Sequence, residues 1–326
     1  MNIRVIPIKD IVLEGSNFDD FTFSFPLSAG ALQESIRKVG LLQPVCLRKH
    51  ERGWQIIFGA RRILACKELG WHRIPAQVYA ARDLSVERAL EISLEEDIQQ
   101  RELNPVEKAR VLSKFMHLAN WGIPKLLQDI APRLGLPPSV EMLNNYLSLS
   151  ELEKEYQTAV ATRSLSPAHA FQLVQLRPDE RFTIFQEVFI KCRPNLNEAR
   201  ELIENLTDLG IILKKSIKEI LSIKTISAFL NSSHKNPREK SNMLRKELKR
   251  LRYPQLTKLE ERFSKSLKSL ELKSNIQVRP SPFFEEKHLD VSFRVKNPNE
   301  LDQTVESMAK VSENGGFTKL FEIVAQ

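Results

Sequence analysis

The sequence predicts an α+β chain of several domains. A small mixed α/β domain comes first, then an all-α domain holding a helix-turn-helix, then a C-terminal α/β unit that follows a basic helix. Three observations predict this. Residues 1–95 alternate strand-like and helix-like stretches. From Asn104 the strand signals stop, and helical patterns succeed one another to residue 206. Past residue 270 two strand patterns and two helix patterns return. The boundaries expected are 1–95, 96–206, a linker or helix over 207–240, and 241–326.

The elements follow in order. Strands are expected at Arg4–Pro7, Val45–Leu47, Gln55–Phe58 and Ile74–Tyr79. Helices are expected at Ala31–Val39, closed by Gly40, at Arg61–Leu69, closed by Gly70, and at Ser85–Glu95. Pro105 suits a first helical turn, and Val106–Asn120 continues from it. The stretch IPKLLQDIAPRLGLPPSVEMLNNYLSL then reads as a short helix (Lys125–Leu134), a turn at Gly135 and a second helix (Ser139–Leu149) with Ser139 as its N-cap. That spacing is a helix-turn-helix. Further helices are expected at Glu151–Thr162, Ser166–Gln175, Arg181–Ile190 and Asn197–Leu206.

A helix or two then lead to NSSHKNPREK, the best linker candidate. Residues 241–270 form a long basic helix pattern with a break near Pro254; Leu244, Leu248 and Leu251 keep helical spacing. Asn275–Arg279 and HLDVSFRVK read as strands, Pro298–Val311 as a helix, and ENGG as a turn before Phe317–Val324. A long basic helix feeding a strand pair and a helix is a common way to build a small dimer. No internal repeat of solenoid type is present.

Composition excludes several functions. Of the 326 residues 42% are apolar and 28% charged, as in soluble globular proteins. No apolar run reaches the roughly 18–20 residues a membrane span needs. The start, MNIRVIPIKDIVLEG, has no signal-peptide pattern and reads as a strand. Cys46, Cys66 and Cys192 are scattered without CxxC spacing, which argues against a disulfide framework or a zinc site and for a reducing compartment. The six histidines do not cluster. The net charge is +8, but Lys214–Lys273 alone carries +11, leaving −3 for the remainder. One segment holds the basicity, and such a block suits a polyanion, nucleic acid first, with a solvated helix face as the alternative.

One turn points to chemistry. In WQIIFGARRILACKELG a strand runs into Gly59, and Arg61 and Arg62 fall in the first turn of a helix. The N-terminal end of a helix is already electropositive and has N–H groups without intrahelical partners. Arginine is misplaced there for helix stability. It becomes sensible if an anion is held by the backbone N–H groups and both guanidiniums.

Four ordered segments then resemble the ParB family of DNA partition proteins. They are LQESIRKVGLLQPVCL, GARRILACKELGWHRIPAQV, EEDIQQRELNPVEKA and RSLSPAHAFQL, correctly spaced across residues 1–176. The resemblance implies a nucleotide-binding N-terminal domain in which this turn holds the triphosphate of CTP. Gly59, Ala60, Arg61 and Arg62 would cradle the phosphates. Gln43 and Pro44 would line the base side, and Glu96 and Asp97 would stand near a Mg2+ ion with Asp97 as its ligand. Several positions depart from the family pattern, Leu64 at its third basic position among them. Ala60 replaces a glutamate, Asp97 an asparagine and Gln100 an arginine, which counts against CTP hydrolysis. The resemblance further implies DNA as partner, a homodimer built by the C-terminal unit, a ParA-type ATPase as a partner, and a cytoplasmic, nucleoid-associated protein. The tail that engages such an ATPase is not evident before the first strand.

The DNA-reading residues follow from the helix-turn-helix. Ser139–Leu149 contains no Lys or Arg, so Ser139, Asn144 and Asn145 are its polar candidates, and Asn can read adenine with two hydrogen bonds. Lys125, Arg133 and Arg163 are candidates for phosphate contacts that position without specifying sequence. His169 matches a histidine of the family motif. Lys246, Lys249 and Arg250 represent the basic helix, where DNA would be held without sequence preference.

Three readings result. The first is a ParB-like DNA clamp with nucleotide binding as a conformational switch. The second is a helix-turn-helix transcription regulator whose N-terminal domain binds no nucleotide. The third, an enzyme on a sulfiredoxin-like fold, needs a cysteine where Ala60 stands, and no nucleophile–base pair is visible.

Overall fold

The computed structural model describes residues 3–13, 21–51 and 53–325. The chain divides into two compact units, residues 1–177 and 178–326. Glu14–Asp20, which include the start of the stretch NFDDFTFSFPLSAG, lie outside the described residues.

The first unit opens with β1 (Ile3–Pro7), α1 (Ala31–Val39), β2 (Val45–His50), β3 (Gly53–Phe58), α2 (Ala60–Glu68), β4 (Arg73–Tyr79) and α3 (Val86–Gln100). The strands form one mixed sheet in the order β1-β4-β2-β3. The pairs β1–β4 and β2–β3 are antiparallel, and β2–β4 is parallel. All four expected strands and three helices are present, the strands one to three residues longer. Alternation fixes their faces: Ile6, Val45, Leu47, Ile56, Ile74 and Ala76 are buried with Ile36 of α1 and Ile63 and Cys66 of α2 in one core. All three cysteines are free and buried.

The helical part of this unit begins with α4 (Pro105–Leu118), capped by a box in which Asn104 and Glu107 each accept from the other's backbone N–H. A short α5 (Ile123–Lys125) runs into a π-helical turn (Leu126–Ile130), a departure from the continuous helix expected over Lys125–Leu134. Ala131 N donates to Leu126 O at 2.9 Å, the wider i+5 bond of such a turn. Gly135, at φ +65°, turns the chain towards α6 (Val140–Glu151). Two further helices, α7 (Lys154–Ala161) and α8 (Pro167–Val174), complete the unit. Val106, Leu112, Phe115, Leu126, Ile130 and Leu143 are buried to 2% exposure or less.

The second unit starts with α9 (Pro178–Ile184), a π-helical turn (Phe185–Phe189) and α10 (Ile190–Cys192). Next come α11 (Leu196–Leu213), α12 (Ile217–Leu221), α13 (Lys224–Leu230), α14 (Pro237–Arg252) and α15 (Pro254–Lys268). NSSHKNPREK is therefore no open linker over its whole length. Asn236 and Glu239 form a capping box and start α14 at Pro237. The helix break at Pro254 is where the sequence places it. The hairpin β5 (Ile276–Pro280) and β6 (Leu289–Phe293), with α16 (Pro298–Glu313) and α17 (Gly316–Val324), ends the chain. Among the described residues no helix is long and apolar enough to cross a membrane.

Candidate functional site

The turn between β3 and α2 depends on one glycine whose conformation other residues rarely adopt. Gly59 sits at φ +91°, in the left-handed region, between β3 and α2. A Cβ there would stand 2.8 Å from Val45 Cγ1, so β2 passes directly against the turn. A second glycine starts α1 in the same way: Gly30 has φ +48°, and neither helix has a side-chain cap. Arg61 lies between the two helix starts. Its Nε donates to Ser28 O at 3.0 Å, and a Cβ on Gly30 would be 3.9 Å from its Nη2. Among the described residues Arg61 has no carboxylate partner. Two electropositive helix ends and a guanidinium bonded to the Ser28 carbonyl thus share a small space.

Arg62 is placed differently. It is buried, at 9% exposure, with its ring-facing side 5.7 Å from the Phe58 centroid. Its Nη1 donates to Pro44 O at 3.2 Å, and its Nη2 pairs with Glu96 Oε1. Glu96 also accepts from Gln100 Nε2 at 2.8 Å. So Pro44, Arg62 and Glu96 meet through one guanidinium, next to Gly59 and Ala60. Gln43 is exposed beside them.

Asp97 points to another cluster. Its Oδ1 is 3.5 Å from Arg101 Nη2, and Arg101 Nη1 pairs with the nearly inaccessible Glu107 at 2.6 Å. Burial pushes the Asp97 carboxyl up to about 6; Arg101 pulls it down, while Glu96 and Glu107 push it further up. A Mg2+ ion takes oxygen ligands, commonly one or two carboxylates besides phosphates and water. Here both neighbouring carboxylates already face guanidiniums, and among the described residues no group of three His, Cys, Asp or Glu gathers. The protein alone therefore gathers no Mg2+ site around Asp97 among the described residues. The Cys46 and Cys66 thiols are buried, which pushes Cys46 up to about 12 and Cys66 up to about 11.

The helix-turn-helix residues fall into two groups. Ser139 caps α6, accepting from Met142 N at 3.3 Å. Leu143, Tyr146 and Leu149 form the buried face of α6, which leaves Asn144 exposed and Asn145 half-buried at its side. Arg163 is exposed at φ +61° in the turn between α7 and α8. These three are available to a ligand. Lys125 and Arg133 are engaged within the protein. Lys125 Nζ is 3.0 Å from Glu87 Oε1 and 3.6 Å from the Trp121 ring centroid; Arg133 pairs with Glu95. His169 Nδ1 is 2.8 Å from Ser166 Oγ, which caps α8.

In the second unit the basic helix has an inner and an outer side. Leu244 and Leu248 are buried, Arg245 pairs with Glu201 of α11, and Arg252 pairs with Asp208. Lys249 bonds Glu260 of α15 at 2.7 Å, and Arg250 bonds Glu247. Lys246 is exposed, and with Lys249, Lys265 and Lys268 it lines an open groove between α14 and α15.

Ser28 and Gly30 beside Arg61, and Arg101 with Glu107, are not singled out by the sequence. The NPVE run does signal a cap for α4. Nothing local signals that Arg101 reaches back to Ser24 Oγ at 3.2 Å, 77 residues away.

Known proteins resemble this chain over its first two thirds. The ParB N-terminal domain matches residues 4–98, and the ParB HTH domain matches residues 101–208. The nucleoid occlusion protein of Bacillus cereus (strain B4264) is 30% identical over 223 residues, 68% of this chain and 72% of that protein. The chromosome-partitioning protein Spo0J of Thermus thermophilus is 33% identical over 175 residues, 54% of this chain and 61% of that protein. A solved structure, the C-terminally truncated chromosome-partitioning protein ParB of Caulobacter crescentus complexed to the centromeric parS site, is 21% identical. It covers 61% of this chain and 97% of that one, at a TM-score of 0.34. With two adjacent ParB domains spanning residues 4–208 and a relative matched over most of its length, this chain belongs to the ParB family.

Proposed function

We propose that this protein is a DNA-binding partition clamp, cytoplasmic and associated with the nucleoid, whose N-terminal domain takes a nucleoside triphosphate as a conformational switch. The nucleotide is CTP, as the family resemblance implies. The observation that carries the reading is Arg61, held between two glycine-started, uncapped helix ends with no carboxylate partner among the described residues. Phosphate oxygens would accept from the first-turn N–H groups of α1 and α2 and from that guanidinium. Pro44, at the start of β2, would border the base. Ala60 offers no acid or base, and Glu96 and Asp97 are paired, which counts against hydrolysis.

DNA would be read by the exposed edge of α6, with Asn144 and Asn145 on base edges and Arg163 on phosphate. Lys246, with the lysines along the α14–α15 groove, would add contacts without sequence preference. Two copies would join through the C-terminal unit. Val291, Phe293, Val305 and Phe321 are each 38–52% exposed there, around an apolar groove of about 490 Å³.

One observation favours the second reading, a DNA-binding regulator without nucleotide. Arg62 is already neutralised by Glu96, so the cradle offers a ligand one guanidinium rather than two. The test begins with a DNA site selected from genomic fragments. Arg61→Ala should keep affinity for that site and lose CTP binding. If Arg61→Ala instead loses the DNA site alone, Arg61 is a DNA contact and the cradle reading fails.

A further inference from the structure

Both arginines of the cradle are connected, by separate routes, to one ion pair at the start of the DNA-reading domain. The first route is the strap over residues 21–30. Arg61 Nε holds it at Ser28 O, 3.0 Å away. A few residues earlier the strap is fastened to the α3–α4 junction. Ser24 Oγ accepts from Arg101 Nη2 at 3.2 Å, Phe25 N donates to Glu107 Oε1 at 3.0 Å, and Phe25 O accepts from Asn104 Nδ2 at 2.7 Å. Phe21 and Phe23, at 1% and 0% exposure, anchor the strap in the core, so it moves as a unit with what it touches.

The second route runs along α3. Arg62 pairs with Glu96, and the next residue, Asp97, faces Arg101. Arg101 then pairs with Glu107, whose two oxygens also accept from Phe25 N and from Asn104 N, the N-cap of α4. Three residues of extended or irregular chain, Glu102 to Asn104, are all that separate α3 from α4 beyond Arg101. The position of α4, and of the helices packed on it, therefore depends on what Arg101 and Glu107 hold.

We propose that Arg101 is a positioning residue that couples an anion in the cradle to the helices that read DNA. The inference rests on the triphosphate reading above. Phosphates that draw on Arg61 release Ser28 O, and phosphates that draw on Arg62 release Glu96. The first change slackens the strap at one end. The second leaves the Glu96 charge beside Asp97, where Arg101 is the cation already at hand. Arg101 then shifts its weight between Asp97 and Glu107, and with it the N-terminus of α4. A ligand shifts such an equilibrium only through contacts that differ between the two states, and these two sets of bonds are those contacts.

The test measures coupling rather than binding alone. Affinity of the full chain for its selected DNA site is measured by fluorescence anisotropy with and without saturating CTP, and CTP affinity is measured with and without the site. In the wild type both ratios should be equal, by linkage, and on the order of tenfold. In the double variant Arg101→Met/Glu107→Gln, which removes Arg101 together with the Glu107 charge that it neutralises, the ratios should fall to within about twofold of one. Each separate affinity should stay within about threefold of wild type. Arg101→Lys, which keeps the charge, should restore a measurable part of the coupling. A double variant that keeps the wild-type ratio, or that loses DNA affinity even without CTP, overturns the role of Arg101. A wild type that binds no CTP overturns the cradle reading itself, and the two failures are told apart by that first titration.

Discussion

Replacing Asp97 by asparagine should stabilise the first unit, and should do so only above a defined pH. The Asp97 side chain is 17% exposed. Its neighbours are the acids Glu96 and Glu107 and the cation Arg101, while Arg62 is occupied by Glu96. Burial, the largest influence, together with the two acids outweighs Arg101 and pushes the carboxyl from its ordinary 3.8 up to about 6. Between those values the folded state binds more protons than the unfolded one. The contribution of this group to stability therefore falls as pH rises through the window and is level on either side. Above the window, holding the charge in place costs up to about 3 kcal/mol. Asparagine keeps the shape without the charge, and it gives up only a 3.5 Å ion contact. At about pH 7.5 Asp97→Asn should therefore be more stable by about 1–3 kcal/mol, with the advantage vanishing near pH 4. Urea denaturation followed by tryptophan fluorescence is the assay, because Trp54, Trp71 and Trp121 all lie in the first unit. The difference between variant and wild type cancels every other titrating group. A variant less stable at neutral pH, or an advantage that does not change with pH, refutes the reasoning and means that the Arg101 contact outweighs burial.

Other substitutions separate structural from ligand-facing roles. Arg62→Ala should lower stability by about 3 kcal/mol in the same urea assay, since it strands the Glu96 carboxylate, whereas Arg61→Ala should change it by less than about 1 kcal/mol. Gly59→Ala forces a left-handed alanine and a Cβ against Val45, and should cost about 2–4 kcal/mol in urea denaturation. Asn144→Ala should weaken binding to the selected site by about 1–3 kcal/mol without changing the salt slope. Lys246→Ala should weaken binding to all sequences alike and lower the salt slope by up to about 1, read from titrations at several salt concentrations.

Local signals in the sequence carried the elements. Gly40 and Gly70 close their helices, Ser139 caps α6, and the turn at Gly135 sets the helix-turn-helix spacing, because each of these is decided within a few residues. The π-helical turns at Leu126–Ile130 and Phe185–Phe189 leave no such mark, since their composition is that of an ordinary helix. The site was legible to the same depth. The strand–glycine–helix pattern alone places Gly59 and Arg61 at the start of α2. That Arg62 turns inward to Glu96 depends on α3, 34 residues on, and on β2 crossing at Pro44. Lys125 and Arg133 looked like phosphate contacts because lysine and arginine near a helix-turn-helix usually are. Their partners, Glu87 and Glu95, come from a different helix and could not be read from sequence spacing.

The central claim is that Arg61 and the two glycine-started helix ends hold a triphosphate. Isothermal titration of the 326-residue chain with CTP, ATP, GTP and UTP, each with Mg2+ and again with EDTA, tests it most directly. Saturable binding selective for CTP in the wild type, lost in Arg61→Ala, is the predicted result. No heat from any nucleotide in a wild-type protein that still binds its DNA site would contradict it.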